Sequence, residues 1–372
     1  MKTADVIVIG AGIQGCATAL ALAQAGASVI VLERDSVGQH ASGHHAGGVR
    51  QALRHRAEVA LSVHAMALWH RIGELVGDDC GFEPRGHVEV LLSAQDVRQA
   101  TGRVTDLGHD GFDHEIILSG ADVAEMVPAL RGGVLGGLFS ARDGIADPGR
   151  TMRAFSSAAG LSGEQIEEGC AAADIALNGK DFVIDTPQGR YGAARLVNAA
   201  GAWGGQIAAA FGEAVPVVAV APMLAVTAPL PQFLGPVVGL FGQPLSVKQW
   251  GDGTVMIGGG FRGRVDLATR TAHVDAAVLA DNHTLARDLF PQLAQVPILR
   301  SWAAIEGAMA DDLPVIGAST TTEGLFHAFG FSAHGFQLAP AVGQILAEII
   351  LTGAPSPLLA GLGPERWHQN AP

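Results

Sequence analysis

The chain has 372 residues, 48% of them hydrophobic and only 16% charged, which suits a large buried core and leaves room for two joined domains. Its net charge is −13 and no block of consecutive lysines or arginines occurs, which argues against nucleic-acid binding. The three cysteines, Cys16, Cys80 and Cys170, lack CxxC spacing, so neither a disulfide framework nor a structural zinc site is expected. The first apolar run breaks at Gly10 without a cleavage pattern, and no uninterrupted apolar stretch approaches the roughly 20 residues of a membrane span. A cytoplasmic protein without a membrane span is expected.

Residues 5–9, DVIVI, read as a buried parallel strand. The turn Gly10-Ala-Gly12-Ile13-Gln14-Gly15 follows, then an alanine- and leucine-rich helix that stops at Gly26. A second strand, residues 28–32, ends at Glu33, 18 positions after Gly15. In this βαβ order Gly10 permits the tight turn, Gly12 lets a pyrophosphate approach the backbone, and Gly15 lets the helix pack on the strand. The free N–H groups at the helix start attract phosphate, and Glu33 suits ribose hydroxyls while repelling a 2′-phosphate. The unit predicts dinucleotide binding and does not by itself separate FAD from NAD.

Residues 42–55, SGHHAGGVRQALRH, come next, and a core helix is expected from Ala57. In mid-chain, LVNAAGAW (residues 196–203) reads as a strand followed by a turn of small residues. Near the end, residues 325–329 read as a strand, and a long helix is expected from about Leu338 to Leu351, with Pro340 in its first turn.

GAGIQG with Glu33, LVNAAGAW, SWAAIEGAMADDLPVIG (residues 301–317) and FSAHGFQLAPAVG occur in this order along nearly the whole chain. The pattern resembles the D-amino-acid-oxidase-type family of FAD-dependent oxidoreductases. Within that family it looks closest to the flavin (beta) subunits of heteromeric sarcosine oxidase, opine dehydrogenase and D-hydroxyproline dehydrogenase. The resemblance implies an α/β fold, in which a Rossmann-like FAD-binding domain is interleaved with an α+β substrate domain built on an antiparallel sheet. Residues 1–85, 140–215 and 306–372 are assigned to the former, residues 86–139 and 216–305 to the latter. Alternating segments such as HVEVLLS (residues 87–93) and TVMIGGG (residues 254–260) are the sheet strands, with residues 122–130 expected as an outer helix. HQNAP at the C-terminus reads as a frayed end.

The resemblance also implies roles. Gly10, Gly12, Ile13, Gln14, Gly15, Glu33 and Arg34 form the adenosine-end cofactor site. Ser42, His44, His45, Ala46, Gly47 and Gly48 run from the ribose toward the flavin ring. Ala200, Gly201, Trp203, Gly307, Gly335, Phe336 and Gln337 complete the cofactor set, with the last helix start facing the reduced flavin's negative charge. For the two histidines, a covalent flavin tether, a hydrogen bond to flavin or substrate and a metal ligand are the alternatives. The last is disfavoured because no third ligand stands at suitable spacing. Arg50 is the candidate clamp for a substrate carboxylate, with Arg262 and Arg264 as competitors. His45, Lys248, His334 and Gln337 are the other catalytic candidates.

Gln337 stands where monomeric sarcosine oxidases commonly carry a lysine, which weakens simple sarcosine as substrate. The expected reaction is hydride transfer from the α carbon of a carboxylate-bearing amine to flavin N5, giving an imine that hydrolyses. The amine is expected to be secondary, such as D-hydroxyproline, an opine or sarcosine. Expected partner subunits carry FMN, an iron–sulfur centre or a second flavin. The alternatives are a stand-alone oxidase making peroxide and a non-catalytic flavin subunit.

Overall fold

The structure is a computed structural model and describes residues 1–161 and 165–370. Ala371 and Pro372 of the expected frayed end lie outside the described residues.

Two large sheets organise the chain. In the first, the strands Val29–Leu32, Lys2–Ile9, Gly189–Asn198 and Leu325–Phe329 lie side by side in parallel, with Gln165–Glu167 joining beside Val29–Leu32 and Val315–Ala318 antiparallel at the far edge. The β-branched runs explain the pairing, since Ile7 faces Ile30 on one side and Leu196 on the other, and Leu196 faces Leu325. Val6, Ile7 and Val8 are fully buried, as strands covered on both faces must be.

One face carries the helices Ile13–Gln24 and Gly335–Thr352, which pack against each other. A Cβ on Gly343 would lie 2.5 Å from the Ala17 carbonyl oxygen, so glycine sets the closeness of that pair. The helix Arg56–Trp69 packs on Gly335–Thr352 from outside, burying Trp69 and Met66. The opposite face is covered by the hairpin of Asp174–Asn178 and Asp181–Thr186, with Phe182 and Ile184 buried against Ile7 and Ile9.

The second sheet is ordered Ile298–Ala303, Met223–Thr227, Val255–Gly258, Gln243–Gln249, Val237–Leu240, His87–Leu91, Gly136–Ser140, Ile116–Ser119. It is antiparallel throughout except where Val237–Leu240 runs parallel to His87–Leu91. Val88, Val90, Val238 and Val247 point to a core closed by helix Ala276–Leu289, so the alternate residues His87, Glu89 and Lys248 fall on the opposite face.

The last helix differs from expectation. It begins at Gly335 rather than Leu338, so Pro340 is its sixth residue and lies inside it. The chain enters through Ser332 and Ala333, both left-handed at φ 48° and 70°, and this turn aims the helix start three residues earlier than the proline suggests. At 18 residues the helix has the length and hydropathy of a membrane span, yet 67% of it is buried, which makes it a core helix. The outer helix also differs, spanning Gly120–Met126.

Candidate active site

A cavity of about 980 Å³ opens between the carboxyl ends of the parallel strands and the inner face of the second sheet. Ile9, Leu32 and Ala199 mark where three strands end on it. This is where open α/β sheets bind ligands.

At one end lies the glycine turn. A Cβ on Gly10 would sit 2.6 Å from Ala199 O, and one on Gly15 would sit 1.9 Å from Gly10 O. Gly15 therefore does not line the cavity; its role is the close packing of helix on turn. No acid stands in the first turn of Ile13–Gln24, and Gly12 offers no capping side chain. Ser42 Oγ accepts the Ile13 N–H at 3.0 Å. Gln14 Nε2 donates to Gly335 O at 2.7 Å, tying the two helix starts together, while Gln14 Oε1 is buried without a partner among the described residues. Glu33 accepts from the N–H groups of Ala11 (2.7 Å) and Asp35 (2.8 Å), so its carboxylate is fixed at the cavity wall. Arg34 stacks on Trp203 at 4.1 Å beside it, and Ala200 and Gly201 complete that wall.

The other end holds the ionisable groups. Arg50, Arg54, His87, Glu89, Lys248, Arg262 and Glu306 all line it. The segment carrying the first two arginines is pinned by buried carboxylates. Asp143 accepts the Gln51 and Ala52 N–H groups at 3.0 and 3.1 Å, and Glu115 accepts that of Leu53 at 2.7 Å. Glu115 is in turn gripped by Arg103 through two hydrogen bonds. Arg54 donates twice to the Arg50 carbonyl, while its Nη1 is buried without a partner among the described residues. Burial and the neighbouring Arg50 charge lower the Arg54 pKa to about 10.

Lys248 Nζ has no hydrogen bond among the described residues and lies 3.3 Å from where a Gly48 Cβ would be. Burial, and then Arg50, lower its pKa to about 7. His45 accepts the Gly47 N–H on Nδ1 at 2.9 Å and packs its ring, tilted, on Phe336 at 4.0 Å, leaving Nε2 buried without a hydrogen-bond partner among the described residues. Burial, then Lys248, push its pKa down to about 3, so the ring is neutral. Glu306 accepts the N–H of the strained Ala333, and burial raises its pKa to about 7 against the pull of that bond and of Arg262.

Most predicted residues therefore meet on one cavity, including His44, Ala46, Gly48 and Gly307. Besides Gly15 and the exposed Arg264, which do not line it, three more are placed elsewhere. Gln337 is 1% exposed and exchanges hydrogen bonds with Ser62, so it binds the last helix to Arg56–Trp69 and does not reach the cavity. His334 Nδ1 meets the buried Glu58 carboxylate at 2.8 Å behind the cavity wall. Gly47, at φ 68°, is required because a Cβ would strike Ala146 O at 2.2 Å, a backbone reason rather than a cofactor contact. Arg54, His87, Glu89 and Glu306 were not anticipated. The alternation in HVEV, polar at positions 87 and 89, was the available clue.

Residues 5–349 match the family DAO, FAD dependent oxidoreductase. The chain belongs to this family. It is 25% identical to the mitochondrial sarcosine dehydrogenase of Mus musculus over 99% of its own length, but spans only 42% of that longer protein. It is 26% identical to the sarcosine oxidase subunit beta of Rhizobium meliloti, covering 98% of this chain and 88% of that one. Among solved structures it superposes on an L-proline dehydrogenase from P. horikoshii with a TM-score of 0.92 and 25% identity, covering 99% and 98% of the two chains.

FAD is the cofactor of this family, and the cavity fits it. The acid-free helix start at Gly12, where a Cβ would meet only Ser42 Oγ, suits a pyrophosphate, and the fixed Glu33 carboxylate suits a ribose. The unpartnered His45 Nε2 and the start of Gly335–Thr352 suit the ring. FAD supplies the two-electron acceptor, and the protein's own groups decide what is held beside it.

Proposed function

We propose that this protein oxidises the C–N bond of a carboxylate-bearing amine, passing a hydride from the α carbon to FAD and releasing an imine that water hydrolyses. The observation that carries this reading is the trio Arg50, Arg54 and Lys248, basic groups that line the FAD-sized cavity without a hydrogen-bonded side-chain partner among the described residues. Guanidinium donors left over in a cavity wall, such as Arg54 Nη1, match a carboxylate. A secondary amine such as D-hydroxyproline, an opine or sarcosine is the proposed class. The likeness to a sarcosine dehydrogenase and an L-proline dehydrogenase supports a dehydrogenase role, and the likeness to a sarcosine oxidase subunit beta supports partner subunits; the proposed acceptor is a partner that carries FMN, an iron–sulfur centre or a second flavin.

The test is anaerobic mixing of the purified flavoprotein with these amines, followed by assay for peroxide in air. Bleaching with little peroxide and fast turnover on an artificial acceptor supports the dehydrogenase reading. Stoichiometric peroxide supports a stand-alone oxidase, and no bleaching with any carboxylate-bearing amine refutes the proposal.

A further inference from the structure

The cationic end of the cavity also holds a carboxylate, that of Glu89, whose surroundings are specific. Glu89 lies on strand His87–Leu91 and is 6% exposed. The residue opposite it on Val237–Leu240 is Gly239, where a Cβ would stand 2.4 Å from both carboxylate oxygens. The carboxylate thus lies across its neighbour strand, in space that only glycine leaves open. His87, 5% exposed, holds Glu89 Oε1 at 2.8 Å, and Arg50 Nη1 stands 3.9 Å from the same oxygen. Oε2 has no partner among the described residues, and Glu89 lines the cavity.

An amino acid arriving here brings two different demands. Its carboxylate needs donors, which Arg50, Arg54 and Lys248 supply. Its nitrogen arrives as an ammonium, because an alkyl amine loses its proton only near a pH of about 10 in water. An ammonium has no lone pair to push a hydride off the α carbon, so it must lose a proton first. The other carboxylate at this end, Glu306, already accepts the Ala333 N–H, and its burial favours the protonated form.

We infer that Glu89, seated on Gly239 and steadied by His87, receives the substrate nitrogen on its free oxygen and accepts the proton that the ammonium must lose. This rests on the reading of the protein as an amine oxidoreductase. The N–H bond breaks and the proton joins Glu89. The freed lone pair forms the C=N bond as the hydride leaves the α carbon with its electron pair for FAD. The proton returns to solvent when product departs. The titratable and charged groups facing Glu89 are His87 on its own strand, Arg50 on the pinned loop and, beyond Arg50, Lys248 on Gln243–Gln249; Asp143 and Arg54 stand behind His87 and Arg50.

The experiment compares the wild-type flavoprotein with Glu89→Gln and Glu89→Asp by anaerobic stopped flow between pH 6 and 10. The probe is whichever of sarcosine, L-proline and 4-hydroxy-D-proline reduces the wild type fastest. FAD content is measured from the spectrum, and binding of acetate, a carboxylate without an amine, from its perturbation of the flavin band. The glutamine variant must capture amine already deprotonated in solution, about one molecule in a thousand at neutral pH.

Its reduction efficiency is expected to fall at least about tenfold at pH 7 and to approach wild type as the pH nears 10, with acetate binding unchanged. An undiminished efficiency, or a loss by the same factor at every pH, overturns the inference while leaving the amine-oxidoreductase reading intact. A wild type that no amine reduces overturns both. Should Glu89→Gln fail to hold FAD, Glu89→Asp decides: a wild-type pH slope at a lower rate supports the assignment, and a slope that tracks free amine refutes it.

Discussion

Gln337 and Ser62, 275 positions apart, hold each other by two hydrogen bonds: Ser62 Oγ donates to Gln337 Oε1 at 2.9 Å, and Gln337 Nε2 donates to the Ser62 carbonyl at 2.8 Å. The Gln337 carbonyl also accepts the Trp69 indole N–H at 2.8 Å. This polar clasp is buried between two helices, so an amide that its position suggested for substrate binding works as a structural tie. Gln337→Ala is expected to lower stability by roughly 2–4 kcal/mol, because it strands the buried Ser62 hydroxyl and leaves a cavity between the helices. Chemical denaturation measures this, and the KM of the amine substrate should stay within about twofold of wild type. A large KM change with full stability would return Gln337 to the site.

Arg54 rather than Arg50 should dominate carboxylate binding. Arg50 already faces the Glu89 charge at 3.9 Å, whereas Arg54 Nη1 is buried with no partner among the described residues. Arg54→Met is expected to raise KM roughly tenfold to a hundredfold, the worth of a charged hydrogen bond, and Arg50→Met to raise it less. FAD content should be unchanged in both. An unaltered KM for Arg54→Met would remove it from the site.

Lys248 gives the pH prediction. Its folded pKa of about 7 lies below the ordinary 10.5, burial being the first cause and Arg50 the second. Between these values the unfolded chain binds a proton that the folded one does not, so stability rises with pH. Below pH 7 the folded protein carries the full penalty, and above 10.5 there is none. Lys248→Met should therefore raise the Tm of cofactor-stripped protein by at least about 2 °C at pH 6, with the gain fading toward pH 10. A gain that grows with pH would contradict this.

His45 should act as a hydrogen-bond donor to the bound ligand. Its Nδ1 already accepts the Gly47 N–H, which puts the ring proton on Nε2, the atom left without a hydrogen-bond partner among the described residues. Acid precipitation is expected to release the flavin into the supernatant, and His45→Ala to weaken FAD retention on dilution. Flavin kept in the pellet would instead make His44 or His45 the residue of a covalent link.

What the sequence revealed was what is local. The first βαβ unit was readable because Gly10, Gly12, Gly15 and Glu33 act within one short stretch, and the strand Leu325–Phe329 stood out as an apolar run. The start of the last helix was misplaced because the left-handed turn at Ser332 and Ala333 is held by Glu306, 27 positions earlier than Ala333. Gln337 was misjudged because Ser62 is remote in sequence. Alternation marked His87 and Glu89 as sharing a strand face, but nothing local told which face would meet the cavity. That depends on pairing with Val237–Leu240, where Gly239 makes room for the carboxylate.

The most direct test of the account is an anaerobic titration of the purified yellow protein with matched amines that do and do not carry a carboxylate. The account predicts that a secondary amino acid bleaches the visible flavin band while its decarboxylated counterpart, at the same concentration, leaves it intact. A fully loaded flavoprotein bleached equally by both, or by neither, would contradict it.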